Sequence, residues 1–193
     1  MGVLAEIQLS LRITRSHDIA RRYFVVNGFD GALAMLGLTM GFYVSDSVAL
    51  GTMLSACTGT AVALMMSGFS SAYVSESAER QRELAELEHA MVTDLNESAH
   101  ARAARLVPVL IAGVNGLSPF ILAVFIISPL WLHELGVVMP LAPLETAIGF
   151  AFASIFALGI FLGHLSHTFW LWSALRTLLL AVLTAGIILA LKL

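Results

Sequence analysis

A chain of 193 residues that is 59% apolar and only 12% charged, with a mean hydropathy of +0.89, excludes a disordered protein and an ordinary water-soluble domain. So little polar surface cannot wrap a core of that size, and lipid must cover much of it. A net charge of −3 without a concentrated basic face argues against nucleic acid as a partner.

Residues 1–22 come first. Leu4, Ile7, Leu11 and Ile13 form a rough apolar stripe, while Arg12, Arg15, Arg21 and Arg22 supply charge. The pattern predicts an interfacial amphipathic helix. Its basic residues follow the short apolar stretch, which argues against a cleaved signal peptide. Five stretches then meet the length of roughly 20 apolar residues that a transmembrane helix requires. They run from Tyr23 to Val44, Ser47 to Val74, Leu106 to Leu132, Pro143 to Gly163 and Phe169 to Leu191. The expected fold is an all-α polytopic membrane protein with a transmembrane hairpin at 23–75, an acidic helical segment at 76–105 and three further spans within 106–193. Only Ser45, Asp46 and Ser47 separate the first two spans. Pro108, Pro119 and Pro129 predict a kink in the third. Cys57, the single cysteine, lies in an apolar run and has no partner for an internal disulfide.

The basic residues set an orientation. Arg12, Arg15, Arg21 and Arg22 precede span one, and Arg80, Arg82, Arg102 and Arg105 lie between spans two and three, so eight of the ten share one side. By the positive-inside rule the N-terminus is cytoplasmic and the C-terminus outside or lumenal, in a prokaryotic plasma membrane or an organelle membrane.

Between Glu76 and Glu97 stand seven of the thirteen acidic residues. Glu76, Glu79, Glu83 and Glu86 are spaced by three, four and three, which puts four carboxylates along one helical face. Such a face repels itself unless solvent or a cation intervenes; Arg80 and Arg82 are placed to offset some of the repulsion. Two Glu-x-x-His pairs, Glu86 with His89 and Glu97 with His100, have the spacing at which a carboxylate and an imidazole reach one metal ion. Oxygen and imidazole donors suit Fe(II), Mn(II) or Zn(II). The same composition also describes an ordinary solvated connector. If Asn96 breaks the segment it is a helical hairpin; otherwise it is one helix continuing span two.

Asp30 lies seven residues inside span one, beside Asn27, Gly28 and Gly31. A carboxylate near the centre of a span costs roughly 2.5 to 3.5 kcal/mol and is expected to face a partner or a wet cavity. Either Asp30 serves function, or it pairs with Arg176 of span five as a structural ion pair. Met65 and Met66, with Met35 and Met40, offer thioethers or merely fill space. Glu145 stands near the opposite surface, as an exit-side candidate, and His164 and His167 in the turn between spans four and five are candidates for proton sensing. Gly37 with Gly41 and Gly159 with Gly163 are small-x-x-x-small patterns that let helices approach. There is no nucleophile and base pair and no phosphate-binding loop, so an enzyme is not expected.

The run Asn27-Gly28-Phe29-Asp30-Gly31, the stretch from Ser67 to Tyr73-Val74-Ser75, and Ala174-Leu175-Arg176 resemble the vacuolar iron transporter family, and the five-span layout with an acidic segment after span two is similar over nearly the whole chain. The resemblance implies a homodimer that exports Fe(II), and often Mn(II), from the cytosol in exchange for protons. It implies a pathway along spans one and two that includes the aspartate matching Asp30, and cytosolic capture by the glutamates beyond span two. Members commonly read Ser-Met-Ala-x-Gly-Glu-Tyr where this chain reads Ser67-Gly68-Phe69-Ser70-Ser71-Ala72-Tyr73, without the methionine and the glutamate. Met65, on the same face as Gly68, is the candidate substitute.

The reading is therefore a divalent-metal transporter with Fe(II) or Mn(II) as substrate and no permanently bound cofactor. Asn27, Asp30, Met65 and Met66 would line the pathway. Glu76, Glu79, Glu83, Glu86, His89, Glu97 and His100 would take metal at its entrance. The alternative is a non-transporting membrane sensor or scaffold that binds metal through the acidic helix.

Overall fold

The computed structural model describes residues 16–45, 48–95, 97–166 and 168–191. Among them all regular structure is helical: α1 (Ser16–Val44), α2 (Leu50–Met91), α3 (Ala99–Glu134), α4 (Pro143–Leu165) and α5 (Trp170–Ala190). Each is long and apolar enough to cross a membrane, and each overlaps one of the five expected spans, α2 running on past Val74 and α3 beginning before Leu106. Residues 1–15 of the expected interfacial helix lie outside the described residues, and 16–22 are the first turns of α1.

The acidic segment resolves into a helical hairpin. α2 has 42 residues, about 63 Å at the usual rise, so it runs far past a hydrocarbon layer of roughly 30 Å. It ends at Met91. Val92 takes a left-handed φ of 50°, the Thr93 N–H reaches the Glu88 carbonyl at 3.3 Å, and the Leu95 N–H is held by the Glu88 carboxylate at 3.0 Å. Ser98 then caps α3, its hydroxyl accepting the Ala101 N–H at 3.1 Å. The two arms are thus continuous with spans two and three.

α3 stays helical through Pro108, Pro119 and Pro129. Each proline lacks the N–H that would meet the carbonyl four residues back. At Pro129 the released carbonyl is that of Phe125, and the Ser128 hydroxyl donates to it at 2.7 Å. α3 stops where Gly136 adopts φ 84°, with N–H groups of Gly136 and Val137 bonded to the His133 and Leu132 carbonyls at 2.9 and 3.0 Å. Pro143 opens α4, at the position where a missing N–H costs nothing.

By contacts the chain forms two compact units. One takes the chain up to Phe24 together with Met65–Leu117. Its small core sets Ala103, Val107 and Ile111 of α3, spaced by four, against Ile19 and Tyr23 of α1. There α2 and α3 cross backbone to backbone: a Cβ on Gly116 would lie 2.6 Å from the Met65 carbonyl oxygen, and one on Gly68 would lie 2.9 Å from that of Asn115. Asn115, itself 3% exposed, donates through Nδ2 to the Gly68 carbonyl at 2.7 Å.

The other unit comprises Val25–Leu64 and Ser118–Leu193. Its core includes Met35, Leu36, Cys57, Ile126, Ile127, Leu130 and Ile155. The expected Gly159 and Gly163 pattern is where α4 and α5 meet: added Cβ atoms would strike Thr177 and Ala174 at the first and Trp170 at the second. Thr177 also donates to the Ile155 carbonyl at 3.3 Å, a polar contact between two apolar helices.

Gly159→Leu should therefore lower stability by about 1–3 kcal/mol through overpacking, read as the thermal midpoint in mild detergent. Gly149→Ala, on the same helix where an added Cβ meets nothing, should raise it by roughly 0.5–1 kcal/mol.

Candidate functional site

Two clusters bear on function, one in each unit. In the unit that holds most of α1, the run from Asn27 to Gly31 is shaped by its glycines. An added Cβ on Gly28 would lie 2.9 Å from the Ser118 hydroxyl and 2.9 Å from Leu122; one on Gly31 would lie 2.6 Å from the Cα of Pro119. Only glycine permits that approach, and it presses one side of α1 onto α3. Ala32, Met35, Leu36, Thr39 and Met40 continue the buried side. Asp30, about 100° around the helix from Gly31, is left exposed.

Asp30 has no hydrogen-bond or ion-pair partner among the described residues. The ion pair expected with Arg176 is not formed: the Arg176 guanidinium lies over the Trp172 ring, 5.5 Å from its centroid. Both residues are exposed, each on its own helix surface. Along α1, Ala34, Gly37 and Gly41 follow Asp30 at offsets of four, seven and eleven, so all four share a face about 60° wide. Added Cβ atoms on Gly37 and Gly41 would meet nothing within 4 Å among the described residues. The other pathway candidates divide. Asn27 is half-buried, Met65 is partly covered at the α2–α3 crossing, and Met66 is 53% exposed. Met35 and Met40 are core residues, buried as packing.

The second cluster is on the polar end of α2. Gly68, Ala72, Glu76 and Arg80 follow one another at intervals of four and all are buried, a single packed stripe that changes from small to charged residues as the helix leaves its apolar part. Glu76 is thus on the packed side, where the Tyr23 hydroxyl of α1 hydrogen-bonds its carboxylate. Arg80 bonds Glu76 through Nη2 at 3.4 Å and Glu83 through Nη1 at 2.6 Å. Its Nε is buried without a partner. Arg82, exposed, bonds Glu86 at 2.9 Å; that hydrogen bond, then the charges of Glu86 and Glu79, hold the guanidinium above its ordinary pKa.

In the structure these carboxylates meet arginine. The cation that relieves the repulsion along the carboxylate face is arginine: Glu76, Glu83 and Glu86 are all engaged. Among the described residues no three side chains of His, Cys, Asp or Glu converge to hold a metal ion. Glu79, His89, Glu97 and His100 are exposed. Of the expected ligands, Glu83 and His100 line one cavity, of about 180 Å³, together with Arg80, Leu84, Leu87 and Ala104. Glu145 is exposed in the first turn of α4, His164 is exposed near its end, and His167 lies outside the described residues.

Tyr23 and Asn115 did not stand out in the sequence. Asn115 carried a usable signal, since an amide inside an apolar span needs an internal partner. Comparison with protein-family models, with curated proteins and with solved structures finds no match.

Removing Arg80 strands the Glu76 carboxylate among packed side chains. Arg80→Met should cost about 3–5 kcal/mol in detergent unfolding, the penalty for breaking a buried pair from one side. Arg82→Ala, at an exposed pair, should leave the unfolding midpoint unchanged within error.

Proposed function

We propose that this protein carries divalent cations, Fe(II) or Mn(II), out of the cytosol as a homodimer, with Asp30 as the carboxylate that receives the ion. The observation that carries the reading is Asp30, exposed on an apolar helix and without a partner among the described residues, on the same face as open Gly37 and Gly41. A carboxylate there would be costly against lipid, whereas a second copy packed on the small residues would cover it. Two facing copies would bring two Asp30 carboxylates to one axis. Like charges held close raise their joint affinity for protons and for cations, which is the chemistry of exchange. Asparagine at 27 would add a neutral donor along the route.

The positive-inside distribution supports a cytoplasmic N-terminus, which would place the polar ends of α2 and α3 in the cytosol. There the exposed carboxylates of Glu79 and Glu97 would concentrate cations by their field, and the arginine-bound Glu76 would serve the fold. A non-transporting scaffold is the second reading. What favours it is the engagement of three of the four stripe glutamates by Arg80 and Arg82.

Fe(II) and Mn(II) flux into proteoliposomes, with and without an imposed pH gradient, separates the two. Asp30→Asn should reduce flux about 10- to 100-fold, the range typical of a lost metal partner, while leaving folding intact. Undiminished flux in Asp30→Asn refutes the pathway assignment, and metal binding with no flux in the unaltered protein establishes the scaffold.

A further inference from the structure

Arg176 is the one charged residue of α5, and no Asp or Glu follows Glu145 in the chain. Among the described residues it has no carboxylate partner. An arginine within an apolar helix is retained only where an anion or water meets its guanidinium. The side chain shows where that meeting occurs. Helical side chains lean toward the N-terminus, and the Arg176 guanidinium lies back over Trp172, one turn earlier, at 5.5 Å from the ring centroid. Trp170 and Trp172 open the helix as amphipathic rings of the kind that settle at headgroup level. The cation is thereby lifted toward the interface.

Beyond it, away from the interface, the surface changes character. Trp172, Leu175, Arg176, Leu178, Leu179 and Val182 line a groove of about 420 Å³. Its walls are apolar, and Arg176 is the one charged residue among those that line it. Trp172, Leu175, Leu179 and Val182 are 56%, 51%, 59% and 52% exposed, with no covering helix among the described residues. A single positive charge at the headgroup end of an apolar groove is complementary to an amphiphile with an anionic head and a hydrocarbon tail.

We propose that this face of α5 is a binding site for an anionic glycerophospholipid. Its phosphate takes the bidentate fork of Arg176, and one acyl chain lies along Leu175, Leu179 and Val182. Trp172 holds the guanidinium in place from the opposite side by cation–π contact. The proposal rests on α5 crossing a bilayer and is independent of metal transport, so the failure of either leaves the other standing.

The test uses the full chain with Trp131 and Trp170 changed to Phe, so that Trp172 is the only tryptophan. It is reconstituted in vesicles of phosphatidylcholine containing brominated phosphatidylglycerol or brominated phosphatidylcholine at equal mole fraction. Brominated phosphatidylglycerol should quench Trp172 several-fold more efficiently, Arg176→Lys should keep part of that preference, and Arg176→Gln should abolish it. The Gln change removes a charge from an apolar helix, so insertion is preserved; an unchanged thermal midpoint verifies it. Equal quenching by the two lipids in the unaltered groove overturns the proposal, as does a preference that survives Arg176→Gln. Absence of quenching by either lipid, together with cross-linking between copies through position 179, would assign the face to a dimer contact instead.

Discussion

The close approach of Gly31 to Pro119 fixes the rotation of α1, and the placement of every other group on that helix follows from it. Any side chain at position 31 would overlap the proline backbone, so the helix presents Gly28, Gly31 and Ala32 to α3. Once that side is committed, Asp30 is carried outward by the geometry of 3.6 residues per turn. Ala34, Gly37 and Gly41 are carried with it. The exposure of the carboxylate is a consequence of packing by glycines.

On α2 the same logic runs in the opposite direction. Its packed stripe of Gly68, Ala72, Glu76 and Arg80 keeps one register across the change from apolar to polar sequence. Small residues allow close crossing where lipid is the expected surrounding, and an ion pair fills the equivalent positions beyond it. Arg80 is shared between a buried and a half-exposed glutamate, and Tyr23 supplies the remaining donor to Glu76. Fully engaged in this way, the buried carboxylate is a tie between helices. The glutamates outside the stripe at 79, 83 and 86 face solvent.

Much of the fold was legible because it rests on one-dimensional quantities. Span length, apolarity and the scarcity of charge mark five helices, and the Gly159 and Gly163 spacing marks the α4–α5 contact. The role of the acidic face was not legible. Spacing places Glu76, Glu79, Glu83 and Glu86 on one side of a helix, but it says nothing of which part of that side packs, and a shift of a few tens of degrees separates buried Glu76 from exposed Glu79. The pairing of Asp30 with Arg176 failed for a similar reason: equal depth along two helices does not fix their rotation, and both side chains turn away from the core. Tyr23 was hidden because its partner lies far along the chain.

Charge in this molecule is sparse and its groups have distinct settings: Glu76 and Arg80 buried and paired on α2, Asp30 exposed and without a partner among the described residues, and Arg176 laid over Trp172. The central claim is that the open face of α1 is where two copies meet around Asp30. Thiol cross-linking in native membranes reads this directly, using Gly37→Cys in a Cys57→Ser background with a short homobifunctional reagent. The account predicts a covalent dimer from position 37 and none from a cysteine at Leu36 on the buried side. A monomer at position 37, with transport intact, would contradict it.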